Sequence, residues 1–192
     1  MPDSKPRLLG ISGSLRKASF NTAILHSLAE AVADRATLTV FTLNAVPPYD
    51  GDLDTENPPE GVAALRRAIG EADGLVIASP EYNYGMPGVL KNALDWASRP
   101  YGKATITGKP VLTLTASPAF TGGARAQAQL NEVLIAVSAQ LVLRPQAVVA
   151  SAHEKVRDGR LADEATLKFL TAGIDDLLRN IARNASAIRQ ET

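Results

Sequence analysis

Cysteine is absent from the 192-residue sequence, and histidine occurs only twice, as His26 and His153. Without cysteine the chain forms no disulfide, builds no zinc-thiolate site and offers no thiolate nucleophile. The two histidines lie too far apart in sequence for the short His-x-x-x-His spacing of a zinc site, so we predict no metal site. A redox function would therefore need a bound organic cofactor to carry the electrons.

Net charge and long hydrophobic runs are missing as well. Lys plus Arg and Asp plus Glu number 20 each, which gives a formal net charge of zero. A neutral chain lacks the positive field that gathers nucleic acid or an anionic membrane surface, so neither is expected as a partner. No run of about 18 apolar residues occurs, and the apolar stretch near the N-terminus is too short for a signal peptide. A cytoplasmic location is the default expectation.

What the sequence does contain is a regular alternation of short apolar runs and longer helical patterns. Its 45% hydrophobic and 21% charged residues suit one globular domain, predicted to span residues 1–192. Apolar runs predict strands at 7–12, 37–43, 74–79, 109–117 and within 141–149. Helical periodicity predicts helices at 21–35, 62–71, 87–98, 122–140 and 163–188.

This alternation predicts an α/β fold with a doubly wound, three-layer sandwich. Several of the predicted strands are nearly continuous apolar runs, as happens when helices cover both faces of a parallel sheet. Five strands favour the flavodoxin-like order 2-1-3-4-5 over the six-stranded dinucleotide-binding order. In such a sheet the ligand binds beyond the carboxyl ends of the strands, where the first and third strands diverge. The loops after these two strands are therefore the candidate site.

The loop after the first strand carries small polar residues and one arginine just before a helix. It reads GISGSLRKASFNTAIL over residues 10–25 and matches neither the nucleoside-triphosphate loop nor the Gly-x-Gly-x-x-Gly fingerprint. Backbone N–H groups at a helix start attract an anion, and Ser14, Ser19 and Asn21 add neutral donors. Arg16 adds a forked cation. The pattern predicts a cage for a terminal phosphate monoester; the alternative is an ordinary helix capped by Ser19 or Asn21.

The loop after the third strand combines prolines, tyrosines, glycines and an asparagine in SPEYNYGMPG, residues 79–88. A planar ring system needs backbone donors along its edge, a flat wall over its face and small residues that admit it. The prolines stiffen the backbone so that the N–H groups of residues 82–85 are predicted to line a ring edge. Tyr82 and Tyr84 would supply the wall, and Asn83 would contact ring heteroatoms. The alternative is a stiff turn whose tyrosines merely cover the end of the sheet.

Two segments are specific in combination: GSLRKASFN at 13–21 and PEYNYGMPGVLKNALDWASRP at 80–100. Together they resemble the NADPH-dependent FMN reductase family, which includes quinone, chromate and azo-dye reductases with a flavodoxin-like fold. The resemblance covers roughly residues 7–178. It implies bound FMN, NADPH or NADH as the electron donor and a small-molecule electron acceptor. It also implies a homodimer or homotetramer with the flavin site near the subunit interface.

The resemblance also assigns residues to three parts of the FMN site. It implies that the phosphate is held by the segment comprising Ser14, Leu15, Arg16, Ser19 and Asn21. It implies that the isoalloxazine ring is bracketed by Pro80, Glu81, Tyr82, Asn83, Tyr84 and Gly85. The loop after the fourth strand, SPAFTGGAR, departs more from the family pattern; there the resemblance implies that the third side of the flavin is closed by Ser117, Gly122 and Gly123.

No catalytic side chain is predicted, because the flavin itself accepts the hydride at N5 and no protein acid or base is required. NAD(P)H and the acceptor would then stack on the same ring face in turn, which predicts ping-pong kinetics. The main alternative is a flavodoxin-like electron carrier that binds FMN but has no NAD(P)H site of its own. The neutral charge argues against it, since carriers usually have acidic docking surfaces. A non-redox phosphate-binding regulator is disfavoured by the aromatic loop.

The helix predicted after the third strand has an unusually broad apolar stripe, formed by Val89, Leu90, Ala93, Leu94, Trp96 and Ala97. Packing in the core is one interpretation of this stripe, and a subunit interface beside the flavin is the other. Arg99 and Arg125 are candidates for contacts with the NADPH phosphates. The alternative is that both are solvent-exposed arginines without a ligand.

Overall fold

A computed structural model describes residues 5–191, with side chains described up to residue 187. The strands are β1 (Arg7–Ser12), β2 (Thr37–Thr42), β3 (Gly74–Ser79), β4 (Pro110–Ala116), β5 (Gln140–Leu141), β6 (Val148–Val149), β7 (Val156–Arg157) and β8 (Arg160–Leu161). The helices are α1 (Phe20–Ala31), α2 (Glu60–Glu71), α3 (Gly88–Ala97), α4 (Ala124–Ala136), α5 (Ala152–Lys155) and α6 (Glu164–Glu191), with a short 3-10 helix at Gly51–Leu53. Up to α4 the elements follow the predicted alternation.

The main sheet is parallel, in the order β2-β1-β3-β4-β5, and β6 also pairs with β4. β1 lies inside the sheet, where Leu9 is paired with Thr39 on one side and with Leu75 on the other. β3 and β4 are buried along their whole length, as expected for apolar strands with helices on both faces. The prediction of an α/β sandwich with a flavodoxin-like order 2-1-3-4-5 is confirmed.

Two apolar cores lie on the two faces of this sheet. On one face α1 and α6 pack against the strands, with the buried side chains Ile24, Leu25, Leu28, Leu170, Ile174 and Leu177. On the other face α2, α3 and α4 contribute Leu65, Ile69, Leu90, Leu94, Leu130 and Leu134. Although α6 has 28 residues, neither it nor another helix within residues 5–191 is long and apolar enough to cross a membrane.

The fifth strand differs from the prediction because it is split into two short pieces. β5 pairs with Pro110–Val111, and β6 pairs with Thr115–Ala116. Pro145, in the segment between them, has no N–H to donate to a neighbouring strand. The side-chain amide of Gln127 takes over part of this edge and donates to the carbonyl of Thr113 at 3.0 Å. A side chain from α4 therefore replaces backbone pairing where the strand is interrupted.

A small hairpin between β6 and α6 is absent from the predicted elements. β7 and β8 pair in an antiparallel ladder, and the turn between them has positive φ at Asp158 (49°) and Gly159 (73°), as a tight Asp-Gly turn requires. Leu161 is buried, and its N–H donates to Ser27 Oγ on α1 at 2.9 Å. The hairpin packs on α1, on the face of the sheet opposite α2 and α3.

Five of the six residues in the apolar stripe of α3 are buried within the chain itself, and Val89 is partly buried. Trp96 has no exposed surface, and its indole N–H donates to the carbonyl of Pro47 at 2.9 Å. Asn92 donates to the same carbonyl at 2.8 Å and accepts from the N–H of Tyr49 at 2.6 Å. The long loop after β2 thus lies over α3, which supports the core interpretation of the stripe.

Candidate functional site

Three loops meet at the carboxyl edge of the sheet because β1, β3 and β4 are neighbours. Ser12 at the end of β1 is paired with Ala78, and Ser79 at the end of β3 is paired with Thr115. An open crevice lies between the loops that follow. It is lined by Ser14, Arg16, Ser19, Phe20, Asn21, Pro80, Glu81, Tyr82, Ala116, Ser117 and Pro118. The structure thus brings residues from all three predicted loops into one site, at the place that this topology favours for a ligand.

In the loop after β1, two buried hydroxyl groups lie at the start of α1. Ser19 caps the helix: its Oγ accepts from the N–H of Thr22 at 3.2 Å. Ser14 Oγ accepts from the N–H of Arg16 at 3.4 Å. Both serines are only 5% exposed, and each hydroxyl keeps its own hydrogen for donation. Arg16 is exposed beside them, so hydroxyl donors, a helix N-terminus and a cation converge on one end of the crevice.

Asn21 lines the same end of the crevice, and its side chain bonds to the backbone at the end of β4. Its Nδ2 donates to the carbonyl of Ala116 at 3.0 Å, and its Oδ1 accepts from the N–H of the same residue at 3.1 Å. The side chain is 2% exposed. Asn21 therefore ties the start of α1 to the end of β4, and its Nδ2 keeps one further hydrogen for donation.

The loop after β3 forms a tight turn at its tip. The N–H of Tyr82 donates to the carbonyl of Gly85 at 2.9 Å, and the N–H of Gly85 donates back at 3.1 Å. Asn83 and Tyr84 have positive φ of 51° and 68°, the values of a type I′ turn. The prediction that the N–H groups of residues 82–85 all line a ring edge is therefore too broad. Of the N–H groups of residues 82–85, those of Tyr82 and Gly85 are used within the turn, and those of Asn83 and Tyr84 have no hydrogen-bond partner within residues 5–191.

The two tyrosines of this turn point to different surroundings. Tyr82 lines the crevice and is 48% exposed. Tyr84 is 72% exposed, and the guanidinium carbon of Arg125 lies 4.3 Å from the centre of its ring, a cation–π arrangement. Of the predicted aromatic wall, only Tyr82 belongs to the crevice lining. Asn83, Tyr84 and Gly85, at the tip of this turn, do not line the crevice. Neither does Leu15, which is exposed in the loop after β1.

Glu81 borders the crevice, yet its carboxylate points towards α4. Glu81 Oε2 accepts from the N–H groups of Arg125 and Ala126, both at 3.0 Å. Glu81 Oε1 lies 3.8 Å from the guanidinium of Arg125, and the Glu81 side chain is only 9% exposed. The sequence placed this carboxylate in the loop predicted to contact a ring, but only the tertiary structure shows which helix it contacts.

Of the three residues predicted in the loop after β4, one lines the crevice and two do not. Ser117 lines the crevice, and its Oγ accepts from the N–H of Ala119 at 3.2 Å. Gly122 has a positive φ of 62° and is buried against the chain near β6, where an added Cβ would lie 2.9 Å from the backbone nitrogen of Ala150. It serves the packing of the loop rather than the crevice wall, and the neighbouring Gly123 (φ 93°) precedes α4.

Three lining residues were not predicted: Phe20, Ala116 and Pro118. Phe20 lies inside the segment 10–25 after β1, and Pro118 lies inside the loop after β4, so their position in these segments was a usable signal. Ala116 offers no such signal. The two arginines considered for NADPH also separate, because Arg99 follows the far end of α3 and lies 6.0 Å from the ring of Tyr49, whereas Arg125 borders the loop after β3.

Comparisons with known proteins agree with this geometry. The model of the NADPH-dependent FMN reductase family matches residues 6–154. An NAD(P)H-dependent FMN reductase of Pseudomonas aeruginosa is 39% identical over 165 residues, which cover 85% of this chain and 89% of the relative. A quinone reductase of Escherichia coli K12 is 39% identical over 171 residues, or 87% and 90% of the two chains.

Among solved structures, the flavoenzyme NAD(P)H:(acceptor) oxidoreductase of Paracoccus denitrificans superposes with a TM-score of 0.81 at 35% identity. The superposition covers 93% of this chain and 98% of that one. The family match spans well over half of the sequence, and these relatives are similar along nearly their full lengths. The chain therefore belongs to the NADPH-dependent FMN reductase family.

Proposed function

We propose that this protein is an FMN-dependent NAD(P)H oxidoreductase that passes electrons to small acceptors of the quinone, azo, chromate or flavin type. The observation that carries the proposal is the crevice itself, in which buried hydroxyl groups and Arg16 lie at one end and Pro80 and Tyr82 at the other. This arrangement fits a molecule with an anionic tail and a planar ring.

The end formed by the loop after β1 fits the phosphate of FMN. The hydroxyls of Ser14 and Ser19 would donate to phosphate oxygens, while the N-terminus of α1 and Arg16 would compensate its charge. No carboxylate of this loop opposes the phosphate, since residues 13–21 contain neither Asp nor Glu. The donor set is therefore matched to an anion that is bound without a metal ion.

The end formed by the loop after β3 fits the isoalloxazine ring. Tyr82 would cover part of the ring, and the N–H groups of Asn83 and Tyr84 would donate to its polar edge. Pro80 and Ser117 would close the sides of the crevice. Because two mutual backbone bonds already hold the turn, little ordering would be needed when the ring binds.

Bound FMN supplies the redox chemistry by accepting a hydride from NAD(P)H and releasing electrons to the acceptor. The chain's own task is to bind the cofactor, to orient it and to leave one ring face open. NAD(P)H and the acceptor would use that face in turn, which predicts ping-pong kinetics. Arg125, exposed at the rim beside Tyr84, is the better placed of the two candidate arginines for a nucleotide phosphate.

The remaining parts of the proposal concern the whole molecule. We propose that residues 1–192 act as one FMN-binding domain, that the protein forms a homodimer or a homotetramer, and that it works in the cytoplasm. Light scattering of the purified protein measures the assembly directly, and a monomer would contradict it. A panel of quinones, azo dyes, chromate and free flavins with saturating NADPH identifies the preferred acceptor, and repeating it with NADH determines the donor preference.

The decisive experiment for the function is optical. Purified protein reconstituted with FMN should show flavin absorption and should bleach under anaerobic conditions when NADPH is added, at a rate comparable with turnover. Reoxidation by a quinone should then restore the colour. A protein that remains colourless and ignores added FMN would rule the proposal out. Bleaching only through a separate reductase would favour a flavodoxin-like electron carrier instead.

A further inference from the structure

Helix α4 begins without a capping side chain of its own. The residue before it is Gly123, which makes no side-chain cap bond. Helices commonly begin with a Ser, Thr, Asp or Asn whose side chain accepts from the second or third N–H group of the helix. In α4 those two groups belong to Arg125 and Ala126, and both donate to Glu81 Oε2 at 3.0 Å. The cap of α4 is thus supplied from 44 residues earlier in the chain.

A second bond joins the other end of the same loop to α4. The N–H of Met86 donates to Gln129 Oε1 at 2.7 Å. The Gln129 oxygen lies so close to Gly85 that an added Cβ there would be only 2.9 Å away. The turn of Tyr82–Gly85 is therefore held at its start by Glu81 and at its end by Gln129, both against the first two turns of α4.

We propose that Glu81 and Gln129 form a loop clamp that positions the turn of residues 82–85 for FMN. Glu81 is then a positioning residue rather than a ligand of the ring, because its Oε2 accepts from two N–H groups of α4 and its Oε1 faces the guanidinium of Arg125. This inference rests on the proposed FMN function for its consequence, although the clamp itself is a property of the protein without cofactor. A negative charge at the N-terminus of a helix is also favourable, which adds to the strength of the Glu81 contact.

The clamp affects binding through the fraction of molecules whose loop is ready for the ring. When only part of the population has a competent loop, the apparent dissociation constant equals the intrinsic one divided by the competent fraction. If Glu81→Ala leaves the loop in place in about one molecule in ten, FMN affinity falls about tenfold. Glu81→Gln keeps an amide oxygen that accepts from the same N–H groups, and we expect its FMN affinity to stay within about threefold of the native value.

A matched control removes a cap of the same kind elsewhere. Asp163 Oδ1 accepts from the N–H of Thr166 at 2.8 Å, at the start of α6. Asp163→Ala should lower the thermal midpoint about as much as Glu81→Ala does, because each variant loses one helix cap. FMN affinity should fall only in Glu81→Ala. Gln129→Ala removes the second bond alone and should weaken FMN about threefold.

The test uses FMN titration, thermal unfolding and amide hydrogen exchange of the four variants beside the native protein. In the protein without FMN, the amides of Tyr82 and Gly85 should exchange about tenfold faster in Glu81→Ala and at the native rate in Asp163→Ala. Unchanged exchange at these amides in a folded Glu81→Ala would overturn the clamp. So would an equal loss of FMN affinity in Asp163→Ala.

Two further outcomes distinguish a failure of the clamp from a failure of the proposed function. If the native protein does not bind FMN, the proposed function fails, while the exchange rates of Tyr82 and Gly85 still decide the clamp. If Glu81→Ala does not fold, Gln129→Ala decides it: faster exchange at Gly85 supports the clamp, and native exchange contradicts it.

Discussion

The two loops that face each other across the crevice are held in opposite ways. In the loop after β1 the two serines are buried, with Ser14 and Ser19 each 5% exposed, while residues 15–18 between them are exposed. In the loop after β3 the side chains point outwards, since Tyr82 is 48% and Tyr84 72% exposed, and the backbone is fixed by its own turn and by α4. The serines of the first loop are therefore part of the folded core, whereas the tyrosines of the second project from it.

This difference separates stability from binding in the two loops. A buried hydroxyl or amide that is removed leaves its partner unpaired, which costs stability as well as affinity. An exposed ring that is removed costs little stability, so any effect must appear in binding. The following variants test this division, beginning with the largest expected effect.

The phosphate end of the crevice should lose most when its donors are removed together. We expect Ser14→Ala combined with Arg16→Ala to weaken FMN binding about 100-fold, about 2.7 kcal/mol, because one neutral and one charged donor are lost. Riboflavin has no phosphate, so its affinity should change little. Fluorescence titration of the protein without cofactor measures both ligands.

The neighbouring cation Lys17 serves as the control for this double variant. Lys17 is exposed and does not line the crevice, so Lys17→Ala should keep FMN affinity within about twofold. Native FMN affinity in the double variant would contradict the phosphate assignment, and an equal loss for riboflavin would move the defect to the ring end.

Asn21 should show the stability side of the comparison. We expect Asn21→Ala to lower the free energy of unfolding by about 2 kcal/mol, because the backbone N–H and carbonyl of Ala116 lose their buried partners. Urea unfolding measures the change. Asn180→Ala is the matched control: its amide donates only to the carbonyl of Asp176, one turn earlier in the same helix. It should cost less than about 0.5 kcal/mol. Equal losses in the two variants would refute the tie between α1 and β4.

The two tyrosines test the projecting loop, and we expect the smallest effects here. Tyr82→Leu should weaken FMN binding about fivefold, because one aromatic contact with the ring contributes about 1 kcal/mol. Tyr84→Leu should stay within about twofold, since that ring stacks on Arg125 outside the crevice. Both variants should unfold at nearly the native urea concentration. A larger loss for Tyr84 than for Tyr82 would reverse the assignment of the wall.

Much of this fold could be predicted from local patterns. The apolar runs of β1, β3 and β4 and the helical periods between them predicted the parallel sheet and its order, because a strand buried on both faces requires an uninterrupted apolar run. Pro145 was a sequence signal for the split of the fifth strand, but only the tertiary structure shows Gln127 occupying the edge of β4. The apolar stripe of α3 was compatible with two interpretations, and the loop after β2 that covers Trp96 supports the core one.

In the candidate site, local sequence patterns identified the segments that carry the polar and aromatic groups: the loops after β1 and β3, with their hydroxyls, arginine, prolines and tyrosines. The contacts of each group became visible in the folded chain. Asn21 meets Ala116 across 95 residues, and Glu81 meets Arg125 across 44. The physical reason is that turn and helix preferences act over a few residues, whereas a side chain's hydrogen-bond partner is set by which distant strand end or helix start the packed sheet brings within 3 Å.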